Sequence, residues 1–105
     1  MAEFDSTLEE FGLGGNEIKV YLACLKLGPS TTAEIGKKTV LPESTTKDNL
    51  AFLMAKGLVS RTFLKSKNRN QYVAADPQRL ADHVKQQLAR IQGIVPKLRA
   101  MRARR

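Results

Sequence analysis

At Lys56-Gly57 the spacing of the apolar residues changes from helical to strand-like, and this switch constrains the fold more than any other feature of the chain. Before it, apolar residues recur three and four apart in short blocks, the signature of amphipathic helices. After it, Leu58–Lys65 and Gln71–Ala75 are rich in Val, Phe, Tyr and Thr, and Ser66-Lys67-Asn68-Arg69-Asn70 separates them. Two such runs joined by turn-prone polar residues make a β-hairpin. Helical spacing then returns to the end of the chain. The expectation is an α+β fold with helices first, one hairpin, and a last helix.

Local signals divide the first part into four helices. Phe4, Leu8 and Phe11 followed by Gly12 give a short amphipathic helix with a glycine stop. A second runs from about Gly15 to Leu27 with Ile18, Tyr21, Leu22 and Leu25 on one stripe, ended by Gly28-Pro29. Thr31-x-x-Glu34 fits a capping box that opens a third helix to about Lys38. Pro42, suited to a first helical position, opens a fourth to about Ala55, with Thr46, Leu50, Leu53 and Met54 inward. Asp76-Pro77 opens the last helix. Its apolar positions Val84, Leu88, Ile91, Val95 and Leu98 step by 4, 3, 4, 3, a coiled-coil-like seam. Gly93 and Pro96 predict a kink or break near residues 92–96.

Charge separates along the same line as the hydrophobic period. Residues 1–60 hold six lysines against eight acids, net −2, whereas residues 61–105 hold twelve Lys/Arg against Asp76 and Asp82, net +10. The whole chain of 105 residues is at +8. A block of this kind marks a polyanion-binding surface or a basic arm, or else serves solubility. One cysteine, Cys24, and one histidine, His83, leave no disulfide scaffold and no Cys/His zinc site. No nucleophile–base pairing, phosphate-binding glycine loop or paired carboxylates stand out. An enzyme is therefore not expected, and neither is a metal or cofactor. The acidic start MAEFDSTLEE is not a secretory signal and no apolar run reaches membrane-spanning length. A cytoplasmic, nucleoid-associated protein is the expectation.

Three to four helices before a two-stranded hairpin with a basic tip is the order of a winged helix-turn-helix with a double-stranded-DNA-binding role. In such a fold the second helix of the pair, here about 42–55, lies in a major groove while the wing grips the backbone. On this reading residues 1–75 form the DNA-binding domain and 76–105 a basic C-terminal helix, a dimerisation element and tail. Ser44 and Thr45 can offer hydroxyls to phosphate at a helix N-terminus, and Lys47 can reach a phosphate or a guanine edge. Arg61, Lys65, Lys67, Asn68 and Arg69 form the wing's contact set, with no acid beside them in the sequence. Phe52 falls on the outward side of its helix. A thymine methyl, a partner chain, or packing beneath the N-terminal helix would each account for it. The Arg-rich end, Arg99 to Arg105, extends the positive field or forms a solubilising tail. The dimer seam is Val84, Leu88, Ile91, Val95 and Leu98.

The residues themselves resemble the TrmB-like winged-helix family of transcriptional regulators. The resemblance rests on Leu13, Glu17-x-Lys19-Val20-Tyr21-Leu22-Ala23 and Leu25-x-Leu27-Gly28-Pro29. Ala33-Glu34-Ile35, Leu41-Pro42-x-Ser44, Leu50-x-x-Leu53-x-x-Lys56-Gly57-Leu58-Val59 and Tyr72-x-Ala74 continue it. It covers about residues 8–85 and implies a cytoplasmic, DNA-binding, dimeric transcription factor. Larger members carry a sugar-binding effector domain, for which this chain has no room. The chain departs from the pattern at Glu43, usually Arg, and at Lys47, commonly aromatic. Val40 replaces the turn glycine between the third and fourth helices, and Gly14 a capping threonine. A β-branched residue is costly at positive φ, so a changed turn geometry is expected. The resulting expectation is a homodimeric, sequence-specific regulator of transcription. Its rivals are a non-specific architectural nucleic-acid binder and a winged-helix protein-interaction module.

Overall fold

The computed structural model describes residues 3–104, and Arg105 of the Arg-rich end lies outside them. Four helices come first: α1 (Asp5–Phe11), α2 (Gly15–Leu27), α3 (Thr32–Thr39) and α4 (Glu43–Ala55). A hairpin of β1 (Val59–Leu64) and β2 (Arg69–Ala74) follows, and α5 (Gln78–Ala103) ends the fold. The strands pair antiparallel with Val59 opposite Ala74 and Leu64 opposite Arg69. This is the winged helix-turn-helix expected from the sequence.

The local signals act where the sequence places them. The Thr31 N–H donates to Glu34 Oε1 at 2.8 Å, and the Glu34 N–H donates to Thr31 Oγ1 at 3.2 Å, so the capping box closes. Gly14 has no side chain to cap α2, but its N–H donates to Glu17 Oε1, which keeps half of the motif. Asp76 Oδ1 accepts from the Gln78 N–H at 2.8 Å and satisfies the first amide of α5, although Pro77 and not Asp76 is the N-cap. Pro42 sits one position earlier than expected. It is the N-cap of α4, with ψ near 154°, because its extended conformation lets its carbonyl accept from the Thr46 N–H.

The core lies around α2, against which α1, α3, α4 and β2 pack. Ile18, Val20, Tyr21, Ala23 and Cys24 of α2 are buried with Ile35, Leu50, Leu53, Leu58, Val59 and Tyr72. A central helix must bury more than one face, so the single stripe read from the sequence is too narrow. Leu25, assigned to that stripe, is exposed. Gly36 lets α3 and α4 approach closely: a Cβ there would stand 3.2 Å from both the Leu41 carbonyl and Thr46 Oγ1. Ser30, between α2 and α3, exchanges two backbone hydrogen bonds with Tyr72 (2.7 and 3.0 Å) and ties the helical layer to the wing.

Two expectations are corrected by the backbone. Val40 is in the left-handed region, φ 58° and ψ 43°, so the turn keeps the geometry a glycine would have adopted. Its side chain is 87% exposed and escapes the crowding a buried β-branched residue would meet there, while Ile35 and Leu50 on either side are fully buried and hold the turn. The kink or break expected near 92–96 is not a break. The last helix runs unbroken through Gly93 and Pro96 to Ala103. Pro96 is exposed and outside the apolar seam, so the one carbonyl it leaves without an N–H partner can be hydrated.

Candidate nucleic-acid interface

The N-terminus of α4 is open. No side chain caps it, so the amides of its first turn keep their hydrogen-bonding capacity beside the exposed Ser44 and the half-buried Thr45. The positive end of the helix dipole favours an anion at that position. Thr46 points inward, fully buried, with its hydroxyl donating to the Pro42 carbonyl at 2.9 Å. Lys47 is exposed, and its ammonium lies 3.7 Å from Glu43 Oε2, one helical turn back. Such an exposed pair is weak and exchanges readily for another anion. Glu43 also borders a shallow groove with Thr32, Ala33 and Lys37 of α3. Asn49 is turned back onto the Thr45 carbonyl at 2.7 Å.

Phe52 is not an outward residue. It is half-buried against the core, and the Lys56 ammonium lies 5.0 Å from its ring centre and 5.9 Å from that of Phe11. The cation lies over one ring from α1 and one from α4, an attractive arrangement. Of the three accounts the sequence left open, packing beneath the N-terminal helix is the one observed.

The wing is shorter at its tip than the sequence suggested. Lys65–Lys67 form a 3-10 turn, Asn68 takes the left-handed conformation (φ 50°), and Arg69 and Asn70 already belong to β2. Lys65, Lys67, Asn68 and Arg69 are all exposed. Alternation across the paired strands puts Arg61, Phe63 and Tyr72 on one face and Leu64 and Arg69 on the other. Arg61 and Arg69 therefore do not converge. Phe63, half-exposed on the Arg61 face, joins this surface without having been among the expected contacts, and its place two residues beyond Arg61 in an alternating strand is the signal for it.

The absence of an acid near the wing cations holds in sequence but not in space. Glu34, at the start of α3, is held below the ordinary glutamate value. The cause is first the hydrogen bond from the Thr31 backbone and then that from its hydroxyl, with Arg69 and Lys67 adding their positive charge. The wing tip and the N-terminus of α3 thus share one electrostatic neighbourhood.

Elsewhere, Cys24 is buried and desolvation pushes its thiol up to about 11, as expected for a structural cysteine. The His83 ring stacks at a tilt on Phe11, centroids 5.3 Å apart. Among the described residues no cluster of His, Cys, Asp and Glu could hold a metal ion, and no helix is long and apolar enough to cross a membrane. The seam residues Val84, Leu88, Ile91 and Leu98 are exposed, Val95 is half-buried, and Ile94 and Met101 widen the stripe beyond what was read from the sequence.

Comparison with known proteins bears on this arrangement. The family model described as the sugar-specific transcriptional regulator TrmB matches residues 8–78. The fold superposes on that of TrmBL2, described as an archaeal chromatin protein with a novel mode of DNA binding, with a TM-score of 0.81 and 23% identity. That match covers 95% of this chain and 39% of TrmBL2, so the chain spans well under half the length of that protein. A MarR-family regulator from Silicibacter pomeroyi matches with a TM-score of 0.61 and 22% identity, covering 91% of this chain and 69% of that one. FabT of Streptococcus pneumoniae, solved in complex with DNA, gives 0.60 and 16%, covering 83% and 60%. No curated protein matches by sequence.

Proposed function

Since the chain belongs to the TrmB family of winged-helix transcriptional regulators, we propose that it is a homodimeric regulator that binds double-stranded DNA sequence-specifically. The observation that carries the reading is the pairing of an uncapped, exposed α4 N-terminus with a cationic wing on a helix-turn-helix frame. In this reading α4 enters the major groove. Ser44 and Thr45 meet phosphate at its N-terminus, and Lys47 leaves Glu43 for a phosphate or a guanine edge. Lys65, Lys67, Asn68 and Arg69 grip the flanking backbone from the wing tip, and Arg61 adds to the field from the other face. Residues 1–75 are the DNA-binding unit, and 76–105 join two copies through Val84, Leu88, Ile91, Val95 and Leu98.

One observation favours a second reading, a non-specific architectural binder. The ion pair between Glu43 and Lys47 leaves the exposed start of α4 with little net charge, whereas the wing keeps its cations. Selection of binding sites from a random duplex pool separates the two. The specific reading expects a recurrent sequence, and Thr45→Ala with Lys47→Ala should then cost about 1–3 kcal/mol of discrimination between that site and random DNA. Recovery of no common sequence would leave the architectural reading in place.

A further inference from the structure

We propose that the two copies of α5 pack antiparallel, so that the basic C-terminal turns of one chain lie on the acidic edge of α1 in the other. The inference rests on the homodimer reading above and goes on to fix its geometry and its electrostatic partners.

The two ends of this molecule carry opposite charge. Residues 3–10 hold Glu3, Asp5, Glu9 and Glu10 with no base, and residues 97–104 hold Lys97, Arg99, Arg102 and Arg104 with no acid. Among the described residues the only ion pair is that of Lys47 with Glu43, so neither set is matched within its own chain. The acids are also correctly placed. Glu10, with Thr7, Leu8 and Phe11, borders a shallow apolar groove whose other wall is Leu80, Ala81 and Val84 of α5. Glu3, with Phe4, Thr7 and Leu8, borders a second, open toward Leu25, Pro77 and Leu80. The first groove reaches Val84, where the exposed seam begins, and the second shares Thr7, Leu8 and Leu80 with it.

The seam itself fixes a register. Alternate layers of an antiparallel pair oppose Val84 to the partner's Val95 and Leu88 to the partner's Ile91, and then set Leu98 of the partner subunit against the small Ala81. Continued outward, this register brings Arg99 of the partner subunit level with Leu80, beside Glu10. It brings Arg102 of the partner subunit level with Pro77, beside Glu3. Met101 of the partner subunit, 68% exposed in the single chain, falls at the apolar grooves between those two contacts. A parallel pair does the reverse, placing acid against acid at one end and arginine against arginine at the other, and like charges juxtaposed across an interface are strongly disfavoured. The antiparallel register also separates the first turns of the two α5 helices by about 34 Å along the helix axis at 1.5 Å per residue. That is close to one turn of B-DNA, the spacing at which two winged domains meet successive major grooves.

A spin label at Ala103→Cys reads the orientation directly, since Ala103 is exposed and the buried Cys24 thiol does not compete for the label. Light scattering on the labelled full chain first establishes the mass. The proposal expects a dimer with a label-to-label distance of about 40 Å along the helix axis. A dimer with labels under about 20 Å apart, the separation of neighbouring helices plus linkers, overturns the antiparallel arrangement and leaves the homodimer reading intact. A monomer overturns both. Charge reversal gives a second test on the same protein. Glu3→Arg with Glu10→Arg, and separately Arg99→Glu with Arg102→Glu, should each weaken dimerisation by about tenfold or more, and the four changes together should restore it. Unaltered dimerisation in both double variants would remove the α1 contact from the proposal.

Discussion

Val40 shows what a single residue can carry against its own preference. Its left-handed conformation costs a β-branched side chain about 1–2 kcal/mol relative to a right-handed one, and packing on either side of the turn enforces it. Val40→Gly removes that strain, loses almost no buried area and frees the turn residue in the unfolded chain. The net expectation is a gain of about 1 kcal/mol, read as a rise in Tm of about 4–8 °C. Glu34 makes a prediction about pH. Its folded value is depressed, chiefly by the Thr31 N–H bond, so its stabilisation is present above the ordinary glutamate range and disappears as pH falls through the folded value. Glu34→Gln should therefore flatten the decline of the urea midpoint between about pH 5 and pH 3, with little change in that slope at neutral pH. The capping box was legible in the sequence because Thr31 and Glu34 are three residues apart. The two wing cations that act on Glu34 were not, because more than thirty residues of chain intervene and the segments meet through the Ser30–Tyr72 pairing and the packing of β2 on α3.

At the scale of elements, the wing and α4 divide the proposed work between charge and shape. Lys65, Lys67 and Arg69 are exposed at the wing tip and none of them is in an ion pair among the described residues, so changing all three to Ala leaves the fold in place. Affinity for all duplexes should fall together. The slope of log K against log salt should flatten by about 2.7 per protomer, at roughly 0.9 for each phosphate no longer neutralised. Fluorescence anisotropy over a salt series measures both effects, and a slope unchanged by the triple substitution would take the wing out of the interface. The existence and order of all five helices and both strands were legible in the sequence, because caps, glycine stops and the change of period are local signals. The outward face of α4 was legible only in part. Thr46, Leu50 and Leu53 are buried as a helical wheel requires, but Phe52 packs against the core with Lys56 reaching from its ring to Phe11, a residue of α1 that no wheel of α4 contains.

For the whole molecule, the prominent fact is a long helix that buries nothing fully along its length. Leu80 is packed against the core and His83 against Phe11, and beyond them the seam stands in solvent, with Leu88 53% and Ile91 55% exposed. Each such side chain left in water forgoes roughly 1.5–3 kcal/mol if full burial is available. Leu88→Lys with Ile91→Lys should therefore give a folded monomer with unchanged helical circular dichroism over the winged domain and much weaker DNA binding. Sedimentation at micromolar concentration checks the mass. A variant that stays dimeric would show that the seam is not the interface.

By itself, the sequence determined which segments are helix and strand, the winged helix-turn-helix order, and the charge division near residue 60. The elements are written in residues no more than a few positions apart, and their order and the charge division follow from the linear sequence alone. Tertiary structure alone decided that Val40 holds a glycine's conformation, that Phe52 turns in, that Glu34 lies within the field of Lys67 and Arg69, and that the last helix passes unbroken through Pro96. The physical reason is common to all four. A backbone torsion, a side-chain direction, a local field or a missing hydrogen bond is settled by what packs or hydrates around it, and those neighbours come from distant parts of the chain or from the solvent.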